Sequence, residues 1–354
     1  MIKNHNFYLN LAFQLAEKNL GHTKLNPSVG CVIVKNDTVI SSGVTSISGR
    51  PHSEFNALKN LKNCSGATLY TTLEPCTHYG KTPPCVDIIV KKKIKNVFYA
   101  FEDPDVRTFK KAKRILKNKG VKCKLIKSKD YSRFYKSYYI NKKKEIPYIA
   151  AKIALSKDNL TINEKNKWIT NIFSRKAVHL LRYKYDCILS TSKSINYDNS
   201  LLNCRINGLD KYKPALFIVD LSLKLRKNLL LNTLLKKRKT YLITLKKNLK
   251  KIKNYKKKGY KIILINSLKN KEDFEKLNKK IYKMGYSRMF IETGLTFLET
   301  IIKNKIIDEL FIFKSTNKLG KKGKNNISIK YLKKFSPKLL KINLNGDKLY
   351  NKEF

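Results

Sequence analysis

Acidic residues are scarce in this chain of 354: Asp and Glu number 25 against 77 Lys and Arg, a formal charge of +52. Such an imbalance invites a nucleic-acid partner. The make-up of the excess argues against one. Nearly all of it is Lys, spread along the chain with Ile and Asn, as biased nucleotide composition in a gene produces. Arg, whose fork matches phosphates and base edges, is sparse. The runs Lys91-Lys92-Lys93, Lys236-Lys237-Arg238-Lys239 and Lys256-Lys257-Lys258 are expected to coat solvated faces, and no specific nucleic acid is expected, only salt-sensitive adsorption to polyanions. Long apolar runs are also missing. The first residues alternate short apolar steps with Lys, Asn and Gln, so neither signal peptide nor membrane span is expected. Phe7, Leu11 and Leu15 with Tyr8, Ala12 and Ala16 read instead as one face of an amphipathic helix. The seven cysteines are an odd, scattered set, which points to a reducing, cytoplasmic setting. No G-x-G-x-x-G occurs, so a Rossmann domain is not indicated, and no internal repeat is found.

Against this background one stretch concentrates chemistry. Pro51-His52-Ser53-Glu54 precedes Thr71-Thr72-Leu73-Glu74-Pro75-Cys76, and Cys85 follows after eight further residues. One imidazole and two thiolates hold Zn²⁺ and leave its fourth position to water. The metal makes that water acidic near neutrality, and in zinc deaminases a non-ligand Glu carries its proton to the leaving amine. His52, Cys76 and Cys85 are the candidate ligands and Glu54 the candidate shuttle. The competing reading is two buried structural cysteines and a surface histidine. Nucleic-acid and nucleoside deaminases usually carry P-C-x-x-C. The insert Thr77-His78-Tyr79-Gly80-Lys81-Thr82-Pro83-Pro84 is longer, polar and stiff, as suits a loop over a phosphorylated substrate.

Around this site the pattern alternates β and α. Val29 to Val34 and Thr38 to Ser42 flank Asn36-Asp37 as a hairpin. His52–Leu61, Cys85–Lys93 behind Pro84, and Lys110–Lys119 read as helices; Ala67–Thr72 and Asn96–Phe101 read as strands. A charged stretch from Lys127 to Glu145, expected to be helical, leads to a domain boundary near residue 145. Beyond it strand-like runs recur at Cys187–Leu189, Ala215–Val219, Thr240–Thr244, Lys261–Ile265, Met289–Glu292 and Glu309–Phe313. With helical segments between several of them, they predict a second α/β domain.

On its motifs the chain resembles the bifunctional riboflavin-biosynthesis deaminase–reductase family. Residues 72–85 follow that family's T-L-E-P-C-x-H-x-G-x-T-P-P-C, Asn26-Pro27-Ser28-Val29-Gly30 its N-P-x-V-G, and Asp103-Pro104 the start of its D-P-N-P. The resemblance implies a cytidine-deaminase-like α/β/α domain over 1–145, with Asn26, His78, Lys81 and Asp103 on the substrate. In the second half, Trp168-Ile169-Thr170 matches W-I-T, His179-Leu180-Leu181-Arg182 follows, and Asp198-Asn199 with Leu202-Asn203-Cys204-Arg205 matches A-D-x-P-x-L-T-x-R. Ile291-Glu292-Thr293-Gly294 stands for V-E-[GA]-G and Asp308-Glu309-Leu310 for D-E-L. These imply a dihydrofolate-reductase-like α/β domain over 146–354. Asn166, Arg182, Leu202, Arg205 and Glu292 would meet the substrate, and Leu155, Trp168, Ser194, Asp198 and Gly294 would meet NADPH.

The implied function is zinc-dependent deamination of 2,5-diamino-6-(5-phosphoribosylamino)pyrimidin-4-one. NADPH-dependent reduction of the resulting 5-amino-6-(5-phosphoribosylamino)uracil follows, in a homo-oligomer without a membrane. Departures fall in both halves. Asp105 replaces an Asn, Thr45 a His, and Val106-Arg107-Thr108-Phe109 a Gly-rich loop. Ser156-Lys157-Asp158-Asn159-Leu160 replaces S-L-D-G-[KR], Leu216 an Arg, and Thr293 and Lys193 small residues. Two alternatives stand beside this reading: a deaminase whose second domain no longer catalyses, and a tRNA or nucleoside deaminase.

Overall fold

The computed structural model describes residues 4–127, 130–166, 168–327 and 335–354. The chain divides into two compact units, Met1–Glu145 and Ile146–Phe354.

The first unit runs α1 (His5–Lys18), β1 (Gly30–Lys35), β2 (Thr38–Val44), α2 (Ser53–Leu58), β3 (Thr68–Thr71), α3 (Cys85–Lys91), β4 (Asn96–Tyr99), α4 (Ala112–Asn118), β5 (Lys122–Leu125) and α5 (Lys136–Lys144). Its sheet has the order β2-β1-β3-β4-β5. β1 is antiparallel to β2 and β3, while β3, β4 and β5 are parallel. The β1–β2 turn places Asn36 and Asp37 at φ 49° and 57°, the left-handed pair that a two-residue hairpin demands. Side chains alternate across the sheet. Cys31, Ile33, Leu69, Val97 and Tyr99 pack on Ala57 and Leu58 of α2, Val86 and Ile89 of α3, and Ala112 and Leu116 of α4. Val32, Val34, Tyr70 and Phe98 face the other way, onto Tyr8, Leu9, Ala12 and Phe13 of α1 and Tyr138 of α5. The result is an α/β/α sandwich. The buried face of α1 is therefore Tyr8, Leu9, Ala12, Phe13 and Ala16, and Phe7 is exposed. The charged stretch before the boundary is helical only over α5; residues 128–129 within it lie outside the described residues.

The second unit runs β6 (Tyr148–Leu155), β7 (Leu160–Asn163), α6 (Ile172–Tyr183), β8 (Cys187–Thr191), α7 (Ser192–Asp198), β9 (Ala215–Val219), β10 (Thr240–Leu245), α8 (Lys253–Lys257), β11 (Lys261–Ile265), α9 (Lys271–Lys283), β12 (Arg288–Glu292), α10 (Leu295–Lys303), β13 (Glu309–Lys314), β14 (Gly323–Asn326), β15 (Lys338–Leu339) and β16 (Lys348–Glu353). Nine strands form one sheet in the order β11-β10-β9-β8-β12-β6-β13-β16-β15. The seven from β11 to β13 are parallel; β16 and β15 add antiparallel at one edge. Parallel strands are covered on both faces, so they read as continuous apolar runs. Ala215–Val219 of β9 is buried throughout. From β8 the chain steps outward to β9, β10 and β11, whereas β12 lies on its other side. The carboxyl ends of β8 and β12 therefore flank a switch in strand order, where open α/β sheets bind ligands.

The expectation that the run at 236–239 coats a solvated face fails at one residue. Lys236, Lys237 and Lys239 are exposed, but Arg238 is buried. The seven cysteines are all free thiols. Among the described residues no helix is long and apolar enough to cross a membrane.

Candidate active sites

In the first unit, close backbone packing places the chemistry. A Cβ on Gly43 of β2 would collide with the backbone of Ser53 and Ala57, so only glycine lets α2 lie this close to the sheet. His52 occupies the position just before α2 with extended backbone, and Glu54 lies in the first turn. Cys76 follows β3, and Cys85 opens α3 behind Pro84.

His52 Nδ1 lies 3.5 Å from Cys76 Sγ and 3.4 Å from Cys85 Sγ. The three donor atoms all fall within 4.8 Å of one another. Tetrahedral zinc with bonds of about 2.3 Å to sulfur and about 2.0 Å to nitrogen sets donors about 3.5 Å apart. The residues therefore fit this metal in type and in spacing. The Cys85 N–H donates to Cys76 Sγ at 3.2 Å. The Cys85 thiol first, and His52 after it, outweigh burial and hold the Cys76 thiol down at about 4.

Glu54 is buried, and Oε2 accepts from Ser53 Oγ at 2.9 Å. Burial, then the Cys76 charge, pushes its carboxyl up. An elevated carboxyl beside the metal position suits a group that both takes and returns a proton.

The surrounding loops are tied to this centre. Asn26 Nδ2 donates to Gly49 O at 2.9 Å, His78 Nδ1 meets Thr108 Oγ1 at 3.1 Å, and Lys81 is exposed. Asp103 is buried and accepts from Tyr138 OH at 3.1 Å. Burial pushes its carboxyl up to about 6. Asp105 accepts Arg107 through Nε at 2.8 Å and Nη2 at 2.6 Å, and Lys142 Nζ at 2.9 Å. Two departures from the family pattern, Asp105 and Arg107, thus pair with each other. Thr45 Oγ1 accepts the Val29 N–H at 3.0 Å. Glu74, given no role from the sequence, accepts the N–H groups of Asp103, Lys110 and Ala112. It fastens the 103–112 segment beside Cys76. The T-L-E-P-C motif signals the residue, but its partners lie elsewhere in the chain.

In the second unit, Glu292 ends β12, and Arg182 of α6 grips it through Nε–Oε1 at 2.5 Å and Nη2–Oε2 at 2.9 Å. Lys152 of β6 lies 3.5 Å from Glu292 Oε2. Burial alone would raise the Glu292 carboxyl; Arg182, then Lys152, outweigh it and hold it at about 2. Arg182 Nη1 also donates to Asn203 O at 3.1 Å, and Arg205 Nη1 to Asn203 Oδ1 at 3.0 Å. His179 Nδ1 meets the same Asn203 O at 2.9 Å. Burial, then Arg182 and Arg205, lowers its imidazole to about 4. Lys152 is signalled in the sequence as the lone charge in an apolar strand, but its partner is not.

The N–H of Gly294, just before α10, donates to Ser194 Oγ at 2.9 Å. A Cβ at Gly294 would meet only that hydroxyl, at 3.5 Å. Thr191, which ends β8, and Thr293, which follows β12, approach to 3.4 Å through their hydroxyls. A glycine at a helix N-terminus beside the strand-order switch is a fitting cradle for the phosphates of a dinucleotide. Leu155 closes β6, Leu202 is buried, Asp198 ends α7, Trp168 stacks on Arg175 at 4.6 Å, and the Asn166 N–H donates to Asn163 Oδ1 at 3.1 Å.

Fold and sites together define a two-domain enzyme, a zinc deaminase domain followed by a reductase domain. Residues 2–101 match the family described as the cytidine and deoxycytidylate deaminase zinc-binding region, and 147–346 the RibD C-terminal domain. The riboflavin biosynthesis protein RibD of Aquifex aeolicus is 32% identical over 318 residues, covering 88% of this chain and 87% of its own. That of Actinobacillus pleuropneumoniae is 30% identical over 321 residues, covering 89% and 84%. The solved structure of Acinetobacter baumannii RibD superposes with a TM-score of 0.84 at 27% identity, covering 99% of both chains. The chain belongs to the RibD family of riboflavin biosynthesis proteins. It is a bifunctional deaminase and reductase that uses Zn²⁺ and NADPH.

Proposed function

We propose that the unit ending at Glu145 deaminates 2,5-diamino-6-(5-phosphoribosylamino)pyrimidin-4-one, and that the unit from Ile146 reduces the 5-amino-6-(5-phosphoribosylamino)uracil so formed. The observation that carries the first step is the close set of His52, Cys76 and Cys85 beside a buried Glu54. Zinc on these three residues supplies an acidic water. Glu54 takes that water's proton and returns it to the leaving amine. Asp103 and Asn26 accept and donate along the flat ring, while His78 and Lys81 bring polarity and charge to the phosphate.

In the second step bound NADPH supplies the hydride. Ser194, Asp198, Gly294, Trp168 and Leu155 orient it, Gly294 by leaving room at the α10 N-terminus. Arg205 and Arg182 bind the substrate phosphate, a role suited to the guanidinium fork. Glu292, Asn166 and Leu202 fix the ribosylamine end. Arg182 holds Glu292 and the Asn203 carbonyl at once, so it ties the Glu292 carboxylate to the segment that carries Arg205. The same reading sets the enzyme in the cytoplasm as a homo-oligomer, acting on small phosphorylated pyrimidines with no nucleic-acid or membrane partner.

The test is to incubate the purified full chain with the diaminopyrimidine phosphate, with and without NADPH, and identify products by mass. The uracil should accumulate without NADPH and its ribityl derivative form with it. A uracil that stays unreduced when NADPH is present defeats the second assignment; an untouched substrate defeats the first.

A further inference from the structure

Arg238 stands outside the machinery described above. It precedes β10 in a run of lysines, yet it is 4% exposed. Nη1 donates to the carbonyls of Leu201 and Leu202, each at 2.8 Å. Nε and Nη2 are buried and have no hydrogen-bond partner among the described residues. Burial, then Arg182, lowers its pKa to about 10, which still leaves it charged at neutral pH.

Burying a cation without a matching anion is costly, and such groups persist where the site gains from them. The gain is visible in what Arg238 holds. Three guanidiniums converge on one short segment: Arg238 on the carbonyls of Leu201 and Leu202, Arg182 on that of Asn203, and Arg205 on the Asn203 side chain. Between them Leu202 sits at φ 49°, the left-handed region that leucine avoids. Arg182 and Lys152 share the single carboxylate of Glu292. Positive charge therefore remains in excess around Leu202 and Arg205.

We propose that Arg238 is a positioning residue of the reductase site. It holds the Leu201–Arg205 segment with Leu202 in the left-handed region and adds uncompensated positive charge behind Arg205, tuning the segment to a dianionic phosphate monoester. The proposal rests on the assignment of Leu202 and Arg205 to the substrate.

The experiment compares full-length wild type with Arg238→Gln and Arg238→Lys. It reads kcat and KM for the phosphorylated uracil, competitive inhibition by inorganic phosphate, and NADPH affinity. Arg238→Gln should raise KM and weaken phosphate inhibition by roughly tenfold, the scale of removing one nearby charge in a partly screened medium. kcat should stay within about twofold, and NADPH affinity should not change. Arg238→Lys restores the charge and should recover phosphate affinity to within about threefold. A loss confined to kcat, or a Lys variant no better than Gln, overturns the proposal. If Arg238→Gln does not fold, the Lys variant decides: a tenfold loss of phosphate affinity in it overturns the role of charge, and retention supports it. If wild type oxidises no NADPH, the reductase assignment fails separately. Thermal stabilisation by inorganic phosphate then tests Arg238 alone: loss in Arg238→Gln supports the role, and equal stabilisation refutes it.

Discussion

Glu292→Gln should destabilise the second domain by an amount the geometry sets. The Arg182–Glu292 pair is bidentate, at 2.5 and 2.9 Å, with Arg182 11% and Glu292 5% exposed. Its carboxyl lies at about 2 against an ordinary 4.5, a gap worth ~3 kcal/mol. Breaking a buried pair by removing one partner costs about 3–5 kcal/mol, which agrees. For a domain of this size ~3 kcal/mol lowers Tm by about 6–12 °C. The sign with pH follows from the depressed carboxyl. The stabilisation is complete above the ordinary 4.5 and fades as pH falls toward about 2, so variant and wild type should converge as pH drops from 5 to 3. Calorimetry of the full chain measures this, with ammonia release reporting an undisturbed first domain. Arg182→Met/Glu292→Leu should lose less than either single charge removal, because neither member of the bidentate pair is left buried alone, and Lys152, 23% exposed, still reaches solvent. A Glu292→Gln protein within about 1 kcal/mol of wild type at pH 7, or a difference unchanged at pH 3, would show that the pair does not carry this energy.

Metal analysis of untagged protein should find one zinc per chain, and Cys85→Ala should lose it; full occupancy in that variant rules out the ligand set. Glu54→Gln should keep zinc and fold while deamination falls by roughly 10²–10⁴, and ammonia release near the wild-type rate would remove Glu54 from the proton path. Asp103, pushed up to about 6, favours folding when protonated, a contribution present below the ordinary 3.8 and lost as pH rises through about 6. Its ionised form, the better acceptor, is lost as pH falls through about 6. KM for the diaminopyrimidine phosphate should therefore rise on the acid side, and the idea is refuted if Asp103→Asn shows the same acid limb.

The deaminase site was legible because its chemistry is local. His52 and Glu54 share one helix start, and Cys76, His78 and Cys85 one loop, so the spacing itself carries the donor set. The strand runs of the second domain were legible for a related reason: a strand covered on both faces, such as β9, must be apolar throughout. β14, β15 and β16 gave no such signal. Gly323-Lys324-Asn325-Asn326 is half-buried to exposed, and in β16 only Leu349 is buried. Such strands at the margin of the fold are specified by backbone pairing, here Glu309–Lys314 against Lys348–Glu353, and pairing leaves no pattern of residue types.

Partnership between distant residues was the part that the sequence could not express. Asp105 and Arg107 each look like losses from a conserved-looking loop, yet together with Lys142 they form one ion-paired cluster. Lys152 and Glu292 lie on adjacent parallel strands, in register opposite each other, so β-pairing brings the lysine to a carboxylate far along the chain. Arg238 is the sharpest case. In the run Lys236 to Lys239 nothing distinguishes it except that Arg can span two carbonyls where Lys presents a point charge. Its burial depends on β10 pairing beside β9, where Thr240 lies opposite Leu216, and on the return of Leu201–Leu202 to meet it. The positive charge that composition assigns wholly to solvent is thus divided. Most of it coats the surface, while the fold draws Arg182 and Arg238 inward onto the segment that carries Arg205, and Lys152 onto Glu292.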